Sequence, residues 1–315
     1  MVGGNLIFGL SAAVDAAIAI AAIAWALRDG RTGWRLVPAF LAVFVLLAVK
    51  GIVLLIAGVE IGFGVMHVLW LDLVVVGPIA GLTLLVLGRG SSRVVRALGC
   101  LALLLAPVGA YASLVEPERL VVERAQLRLP PERDGVQPVR IGLIADLQFE
   151  HLGAHEPEAV DRLLAERPDL ILLAGDYHQG SRSSFARELT QLRALLSRLH
   201  APAGVFAVQG DVESPRKARR IFSGTGIRLL VNDAAHVRMR DRRLTIGGVE
   251  LAYRSPAARE LARRLERAGG AHDVRLLLSH RPDVLLELKH DTRVDLVLAG
   301  HTHGGQLQLP VVGPL

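Results

Sequence analysis

The sequence predicts an all-α bundle of four transmembrane helices followed by an α/β domain. Residues 1–115 are apolar and hold only 7 of the 36 Lys and Arg residues and 4 of the 30 Asp and Glu residues. Beyond them, short apolar runs alternate with amphipathic segments, and metal-binding residue types follow several of those runs. We therefore predict a transmembrane domain over residues 1–115, a linker with a first strand over 116–138, and the α/β domain over 139–315.

Four apolar stretches define the predicted membrane spans, at residues 6–27, 36–59, 61–87 and 94–115. Each is long enough to cross the hydrocarbon core of a bilayer, which takes about 20 helical residues. Runs of this length with so few charges favour membrane helices over the buried core of a soluble protein. The first run lacks the basic start of a signal peptide, so we expect it to remain in the mature protein.

The loops between the predicted spans differ in charge. The connection between spans one and two contains Arg28, Arg31 and Arg35. The connection between spans three and four contains Arg89, Arg93 and Arg96. The second connection offers only Glu60. Because arginine-rich loops stay in the cytoplasm, the chain is predicted to be a multi-pass protein of the cell membrane whose polar domain faces away from the cytoplasm.

Four ionisable residues lie inside or near the ends of the predicted spans: Asp15, Lys50, His67 and Asp72. Such residues are functional candidates because charge is costly within a bilayer. Lys50 and Asp15 either snorkel towards the membrane surface or pair between helices. A transporter or channel would need a polar stripe through the helices, of which the sequence shows little. His67 and Asp72 remain the pair of interest.

The net charge of +6 is spread along the whole chain. Residues 1–115 carry 7 basic and 4 acidic residues and the remainder 29 basic and 26 acidic, so each part contributes +3. A nucleic-acid-binding protein concentrates its basic residues in a patch, so the sequence excludes that class. The single Cys100 lies within the fourth predicted span and does not indicate the redox compartment.

After Pro117 the pattern is that of alternating strands and helices. Strands are predicted at residues 119–129, 139–145, 170–174, 204–208, 274–278 and 294–299, and helices at 156–166 and 184–199. This alternation predicts parallel βαβ units, whose active sites collect at the carboxyl ends of the strands.

Potential metal ligands follow five successive predicted strands. They are Asp146, Asp176, Asp211, His280, His301 and His303. Three carboxylates and three imidazoles suit borderline divalent ions such as Mn, Fe or Zn, rather than Ca or Mg, which prefer oxygen ligands. Two such ions about 3.5–4 Å apart can generate hydroxide and clamp both oxygens of an in-line phosphoryl displacement.

The order of these residues resembles that of the calcineurin-like metallophosphoesterases. The blocks of that family are Asp-x-His, Gly-Asp, Gly-Asn-His-Asp/Glu, a lone His, and Gly-His-x-His. The blocks here are Asp146-Leu147-Gln148, Gly175-Asp176, Gly210-Asp211-Val212-Glu213, His280 and Gly300-His301-Thr302-His303. The attached apolar segments resemble the membrane-bound branch of the family. The resemblance implies a sandwich of two mixed sheets flanked by helices and a hydrolase acting on phosphoester bonds.

Carried over by position, the resemblance implies two metal sites. Asp146 and His303 would hold the first ion, Asp176 would bridge, and the second ion would be held by Asp211, His280 and His301. The residues implied in catalysis are Asp176, His280, Gln148 and Asp211. Gln148 replaces a family histidine, and it either ligates the first metal through its amide oxygen or orients a water molecule. Val212 also replaces a histidine and cannot transfer a proton to the leaving group.

These departures shape the predicted substrate. Two divalent cations would be balanced by three carboxylates and one hydroxide, so the filled site would be near neutral and would favour phosphodiesters or pyrophosphates over phosphomonoester dianions. The position at the membrane suggests a lipid or envelope phosphate as substrate. His178, His151 and His155 lie near strand ends and are candidates for the missing acid, although solvent-exposed loop histidines are the preferred interpretation.

A catalytically weakened family member that binds a phosphorylated lipid or a partner without turnover is the alternative function, and Gln148 and Val212 support it. Ser279 lies in no Gly-x-Ser-x-Gly motif, so a serine hydrolase is not predicted. The basic run at residues 216–220 is expected on a solvated helix face, with contact to anionic lipid headgroups as an alternative. The chain ends soon after the His-x-His block, and we expect that a shortened second sheet would leave apolar surface exposed.

Overall fold

The computed structural model describes residues 2–27, 45, 49, 50, 52, 53, 70–87, 92–116, 119–133, 135, 137–303, 308, 309, 313 and 314. The chain divides into two compact units, residues 1–119 and residues 120–315. The first is helical where it is described, and the second contains all of the described strands.

The N-terminal unit is built from apolar helices. They are α1 (Val2–Leu27), α2 (Gly77–Leu87), α3 (Arg93–Leu103) and α4 (Leu105–Ala110), with π-helical segments at Asp72–Val76 and Tyr111–Val115. Ser92 caps α3 by accepting a hydrogen bond from the backbone N–H of Val95. Helices α2 and α3 approach closely at two glycines, because a Cβ atom on Gly81 would lie 2.7 Å from the carbonyl oxygen of Gly99.

The structure describes two of the four predicted membrane spans in full, at residues 6–27 and 94–115, and only parts of the other two. Among the described residues, one continuous helix, Arg93–Val115, is long and apolar enough to cross a membrane, and Ala12–Leu27 and Asp72–Leu87 are shorter apolar helices. The described residues do not include most of the predicted span at 36–59 or the start of the span at 61–87. They also do not include His67 or the arginines at 28, 31, 35 and 89. Four spans therefore remain a prediction.

Lys50 pairs with two acidic residues, so the structure favours pairing between helices over snorkelling towards the membrane surface. Its ammonium contacts the carboxylate of Asp15 in α1 and lies 2.9 Å from Oδ2 of Asp72, which is buried. A charge that is shielded from water is stabilised by such partners. Asp72, one of the two residues of interest in the spans, thus forms part of an ion-paired group.

The first sheet of the C-terminal unit is parallel throughout. Its order is β1 (Ile141–Ile144), β2 (Leu170–Leu173), β3 (Val205–Ala207) and β4 (Arg228–Leu229). The connections contain α5 (His155–Ala165), α6 (Arg182–Leu196) and α7 (Pro215–Phe222). The predicted parallel βαβ units are confirmed. The resemblance implied that both sheets are mixed, and this is wrong for the first sheet, whose strands are all parallel.

The second sheet is mixed. Its order is β5 (Asp233–Met239), β6 (Arg242–Gly248), β7 (Val274–Leu278) and β8 (Leu296–Leu298). Strands β5 and β6 form an antiparallel hairpin, whereas β6, β7 and β8 run parallel, with α8 (Pro256–Arg267) between β6 and β7. A separate two-stranded ladder joins β9 (Gln308–Leu309) to β10 (Gly313–Pro314).

The two sheets face each other, and helices cover their outer faces. Leu170 and Leu172 of β2 pack in one core with Ile246 and Leu276 of the second sheet. The alternate residues of β2 pack with α6, and the outer face of the second sheet packs against α8. All four side chains of β2 are buried because the strand is covered on both faces. The burial of each stabilises the fold by about 1.5–3 kcal/mol.

The strand predicted at residues 119–129 is wrong. These residues have no regular secondary structure, and they pair with neither sheet. Most of their side chains are exposed, including those of Val121 and Leu127, and two polar contacts tie the segment to helix α5 and its end. Arg124 pairs with Glu166, and Arg162 donates to the carbonyl oxygen of Leu120. Alternation alone does not show that a segment pairs with another strand.

Candidate metal centre

Five of the predicted site residues have left-handed backbone conformations. The angle φ is 55° at Asp146, 39° at Gln148, 58° at Asp176, 71° at His301 and 50° at His303. Residues with a Cβ atom rarely adopt this conformation, and where they do they cluster at functional sites held by the surrounding structure. Among the described residues, the other non-glycine residues with positive φ are Arg167, Asn232 and Arg240.

Glycines next to these residues allow the loops to meet. Gly175 has a φ of 99°, and a Cβ atom there would lie 2.6 Å from Nδ1 of His280. A Cβ atom on Gly210 would overlap the carboxylate of Asp176, and one on Gly300 would lie 2.8 Å from Oδ2 of Asp146. Glycine is therefore required where the strand ends of the two sheets converge.

Five of the predicted ligands form two adjoining groups. Asp146, Asp176 and His280 make one group and Asp211, His280 and His301 the other, and within each group the ligand atoms lie within 4.8 Å of one another. Oδ2 of Asp211 lies 3.0 Å from Nδ1 of His301. The sixth, His303, places Nε2 at 3.8 Å from Oδ1 of Asp146.

His280 provides the clearest test of whether these residues fit a metal ion. Its side chain is 1% exposed, and Nδ1 must donate to the carbonyl oxygen of Ala174 at 2.8 Å. Nε2 is buried without a hydrogen-bond partner, at 3.5 Å from Oδ2 of Asp176 and 3.9 Å from Oδ2 of Asp211. A lone pair that faces carboxylate oxygens is repelled unless a cation lies between them. The donor set therefore fits a divalent cation.

The Asp146 carboxylate accepts the backbone N–H of His301 at 3.0 Å, which links the end of the first sheet to the loop after β8. Burial raises the pKa of Asp146, while this hydrogen bond and the nearby His303 oppose the rise. Asp176 is 2% exposed, and its Oδ1 accepts the backbone N–H of Val212 at 2.9 Å.

Gln148 contacts the candidate metal centre through its side-chain amide nitrogen. Nε2 donates to Oδ2 of Asp176 at 2.5 Å, and the backbone N–H of Gln148 donates to the carbonyl oxygen of Asp176 at 3.0 Å. Gln148 thus positions the Asp176 carboxylate, a role that the sequence did not indicate. Metal ligation through its amide oxygen remains a prediction.

The variant Gln148→His tests that position. We expect it to lower the Mn²⁺ concentration at half-maximal metal binding by about tenfold, because an imidazole is a better ligand than an amide oxygen. Calorimetric titration of the EDTA-treated protein with Mn²⁺ measures this. Gln191→His, on the exposed side of α6, is the matched control and should leave binding as it is. Equal Mn²⁺ affinities for the two variants would contradict a position of residue 148 beside a metal.

Glu213 is a buried residue at the site whose role was not predicted, although it belongs to the third block. Its carboxylate accepts backbone N–H groups from Asp176 at 3.1 Å, Tyr177 at 2.8 Å, His178 at 3.3 Å and Gly210 at 3.2 Å. Burial raises its pKa, and the hydrogen bonds from Tyr177 and His178 oppose the rise. Glu213 therefore holds two ligand-bearing loops together.

Arg281 changes the charge of the site. Its Nη2 and Nε lie 2.8 and 3.0 Å from Oδ1 of Asp211. The sequence-based count of a near-neutral site omitted this guanidinium, which offsets the extra charge that Asp211 brings in place of the family's asparagine. The only sequence signal for it was its position directly after His280.

The three histidines considered as substitutes for the missing acid differ in environment. The expectation of a solvent-exposed loop is wrong for His178, which is fully buried, with its ring edge-on to Phe149 and Phe185. Burial and Lys217 lower its pKa, which favours the neutral form of the ring. His151 is exposed and pairs with Glu188, and His155 is half-buried at the start of α5. None of the three belongs to a ligand group among the described residues.

Residues 139–305, more than half of the chain, match the family of calcineurin-like phosphoesterases. The chain therefore belongs to this family, whose members hydrolyse phosphoester bonds and typically bind divalent metals. The resemblance to the family is confirmed. The assignment to a membrane-bound branch remains a prediction.

Relatives in several bacteria share the domain. Phosphodiesterase YaeI of Escherichia coli (strain K12) is 30% identical over 198 residues, which cover 59% of this chain and 68% of that protein. The uncharacterized metallophosphoesterase YkoQ of Bacillus subtilis (strain 168) is 27% identical over 190 residues, covering 57% and 67%. The solved structure of the Haemophilus influenzae NAD nucleotidase is 15% identical to this chain, with a TM-score of 0.41, over 56% of this chain and 41% of that one.

Proposed function

We propose that the chain is a membrane-anchored phosphoesterase that hydrolyses phosphodiester or pyrophosphate bonds of a lipid or envelope phosphate with two divalent ions. The observation that carries the proposal is the unpartnered, buried Nε2 of His280 beside the carboxylates of Asp176 and Asp211. A divalent cation between these atoms would satisfy that nitrogen, and the two ligand groups that adjoin at His280 support two neighbouring ions.

The two ions would divide the ligands. Asp146 and His303 would hold the first ion, Asp211, His280 and His301 the second, and Asp176 would bridge. Bound Mn, Fe or Zn would supply Lewis acidity at the phosphoryl oxygens and a hydroxide nucleophile at neutral pH. Gln148 and the backbone N–H of Val212 would orient the Asp176 carboxylate through the hydrogen bonds described above.

The residues near the centre also bear on the leaving group. Val212 offers no proton, so the site suits leaving groups that depart as stable anions, such as aryl oxides and phosphates. The name of the Escherichia coli relative, a phosphodiesterase, supports diester hydrolysis as well. The charge count supports this preference less than the sequence indicated, because Arg281 compensates Asp211.

Three features support membrane anchoring. Large apolar side chains are exposed along the helix Arg93–Val115, among them Leu101 and Leu114. The close contact of Gly81 with Gly99 is typical of helices that pack within a membrane. The arginine-rich loops favour a phosphoesterase domain on the extracytoplasmic side.

The experiment is a measurement of metal content and turnover on the full-length protein in detergent. We expect about two divalent ions per chain and Mn²⁺-dependent hydrolysis of bis(p-nitrophenyl) phosphate that exceeds hydrolysis of p-nitrophenyl phosphate. EDTA should abolish both reactions. A clear preference for the monoester would overturn the diester assignment.

The second candidate is a family member that binds a phosphorylated lipid or a partner without turnover. Gln148 and Val212, which replace two family histidines, favour it. This reading predicts one bound metal or none and no hydrolysis of either aryl ester. The same measurement therefore separates the two candidates.

A further inference from the structure

A cavity of about 590 Å³ opens beside the candidate metal centre. Residues from the N-terminal end of α6, from both ends of α7 and from the loop after β3 line it. They include Arg182, Phe185, Val212, Arg216, Lys217 and Arg220. Four of these six side chains are cationic, and no acidic residue lines the cavity among the residues that the structure describes.

Three of the four cations of this cavity have no acidic partner among the described residues, and the fourth, Lys217, interacts at longer range with the buried Glu213. Within the described parts of the chain, Arg182, Arg216 and Arg220 form no ion pair, whereas Arg162 and Arg198 on neighbouring surfaces pair with Glu158 and Asp161. Like charges gathered around one concave surface repel one another and raise the local concentration of anions. The arrangement is therefore complementary to an anion.

Lys217 is held in place by carbonyl oxygens rather than by a carboxylate. Its Nζ donates to the carbonyl oxygen of His178 at 2.5 Å and to that of Val212 at 3.1 Å. An ammonium group has three N–H donors, so one remains for a ligand. The basic run at residues 216–220 is thus not simply a solvated helix face, because Lys217 is half-buried at the wall of a cavity.

Two helix N-termini meet at the same cavity. Ser181 caps α6 and Ser214 caps α7, and both serines line the cavity. The free backbone N–H groups and the positive dipole end of each helix add to the field of the four cations. Phe185 contributes an aromatic surface, with the Arg220 guanidinium 5.1 Å and Lys217 Nζ 5.2 Å from its ring centroid.

The cavity adjoins the metal centre through Val212. This residue directly follows the predicted ligand Asp211, and its backbone N–H donates to Asp176. It stands at the position where the family has a histidine. A substrate whose scissile phosphoryl group lies at the metal centre would therefore extend its adjoining group past Val212 into the cavity.

We propose that this cavity binds a second phosphate group of the substrate, so that the substrate carries an anionic phosphate beyond the scissile bond. This inference rests on the proposed phosphoesterase function and narrows its substrate class. The second phosphate belongs either to a lipid headgroup or to a soluble compound. Both share the chemistry that the four cations and the two helix N-termini recognise.

The first experiment compares two substrates on the full-length, Mn²⁺-loaded protein in detergent. Both are p-nitrophenyl phosphodiesters of glycerol, and one carries an additional phosphate on the glycerol. We expect the second phosphate to raise kcat/KM by about tenfold, and the double variant Arg182→Ala/Arg220→Ala to lose this advantage, since loss of one strong charge-assisted contact corresponds to about a factor of ten.

The matched control removes two arginines from the same helices. Arg187 and Arg219 are exposed on α6 and α7 and do not line the cavity. The variant Arg187→Ala/Arg219→Ala should keep the preference for the substrate with two phosphates. Equal preference in the two double variants would overturn the inference, because general loss of positive charge would then explain any change.

A binding measurement separates this inference from the proposed function. Calorimetric titration of the EDTA-treated protein with inorganic phosphate reports on the cavity, because the metal-free carboxylates of the centre repel anions. Binding that is lost in Arg182→Ala/Arg220→Ala, without turnover of any ester, would sustain the cavity and sink the proposed function. Turnover of the esters without phosphate binding would sustain the proposed function and overturn the phosphate site in the cavity.

Short-chain phosphatidic acid, titrated in the same way, identifies the source of the phosphate. Binding about tenfold tighter than that of inorganic phosphate would indicate a lipid headgroup, with Phe185 contacting its apolar part. Equal affinities would indicate a soluble phosphate compound. Failure of both probes to bind would overturn the proposed site.

Discussion

The variant Asp176→Asn is expected to lose phosphodiester hydrolysis by roughly a thousandfold or more, because bound ions stabilise the transition state by several kcal/mol. Bound metal should fall from about two ions per chain to one or none. The proposed bridging position explains why both properties change together, since one carboxylate would serve both ions. Metal analysis of the purified variant, beside the bis(p-nitrophenyl) phosphate assay, measures this.

Asp169→Asn is the matched control for that variant. Asp169 is also a buried aspartate, and it accepts the backbone N–H of Arg140 at 2.9 Å and pairs with Arg240. Its loss should lower the melting temperature while metal content and turnover per folded molecule persist. Asp176→Asn should melt close to the unmodified protein in EDTA, because relief of repulsion from Asp146 offsets one weakened hydrogen bond. Turnover retained in Asp176→Asn would remove the dinuclear mechanism.

The positions of the predicted ligands could be inferred from the sequence because they follow a local rule. In parallel strands joined by helices, carboxyl ends lie at one edge of the sheet, so Asp146, Asp176 and Asp211 were expected to be neighbours. His280 and His301 follow β7 and β8 of the other sheet, and they join the carboxylates because the two sheets meet at that edge. Apolar runs and strand order were sufficient for this part of the site.

The contacts that tune the centre could not be predicted, because they depend on residues distant in the chain. Arg281 and Asp211 are 70 positions apart, and nothing in either segment indicates that they pair. The burial of His178 depends on Phe149, in the loop after β1, and on Phe185, in helix α6. The wrong strand prediction at residues 119–129 has the same cause, since the sequence shows an alternating pattern but not whether another strand pairs with it.

Glu213→Gln is expected to destabilise the phosphoesterase domain by about 3 kcal/mol and to weaken metal binding with it. A buried carboxylate can accept four hydrogen bonds, and Glu213 uses both oxygens to accept the N–H groups of Asp176, Tyr177, His178 and Gly210. An amide at this position keeps one acceptor oxygen and turns two further donors towards N–H groups. At least one backbone donor would then remain buried without a partner, at a cost of about 1–3 kcal/mol, and the opposed donors add to it.

Two readouts together distinguish this positioning role from ordinary structural support. Denaturant unfolding measures the loss of stability, and Mn²⁺ titration of the folded variant measures metal affinity. The Asp176 and Gly210 loops would separate without Glu213, so we expect metal affinity to fall about tenfold or more. Glu166→Gln, which removes only an exposed pair with Arg124, should change stability by less than about 1 kcal/mol and leave affinity alone. Unchanged Mn²⁺ affinity in a destabilised Glu213→Gln would mean that the residue supports the fold without positioning the metal ligands.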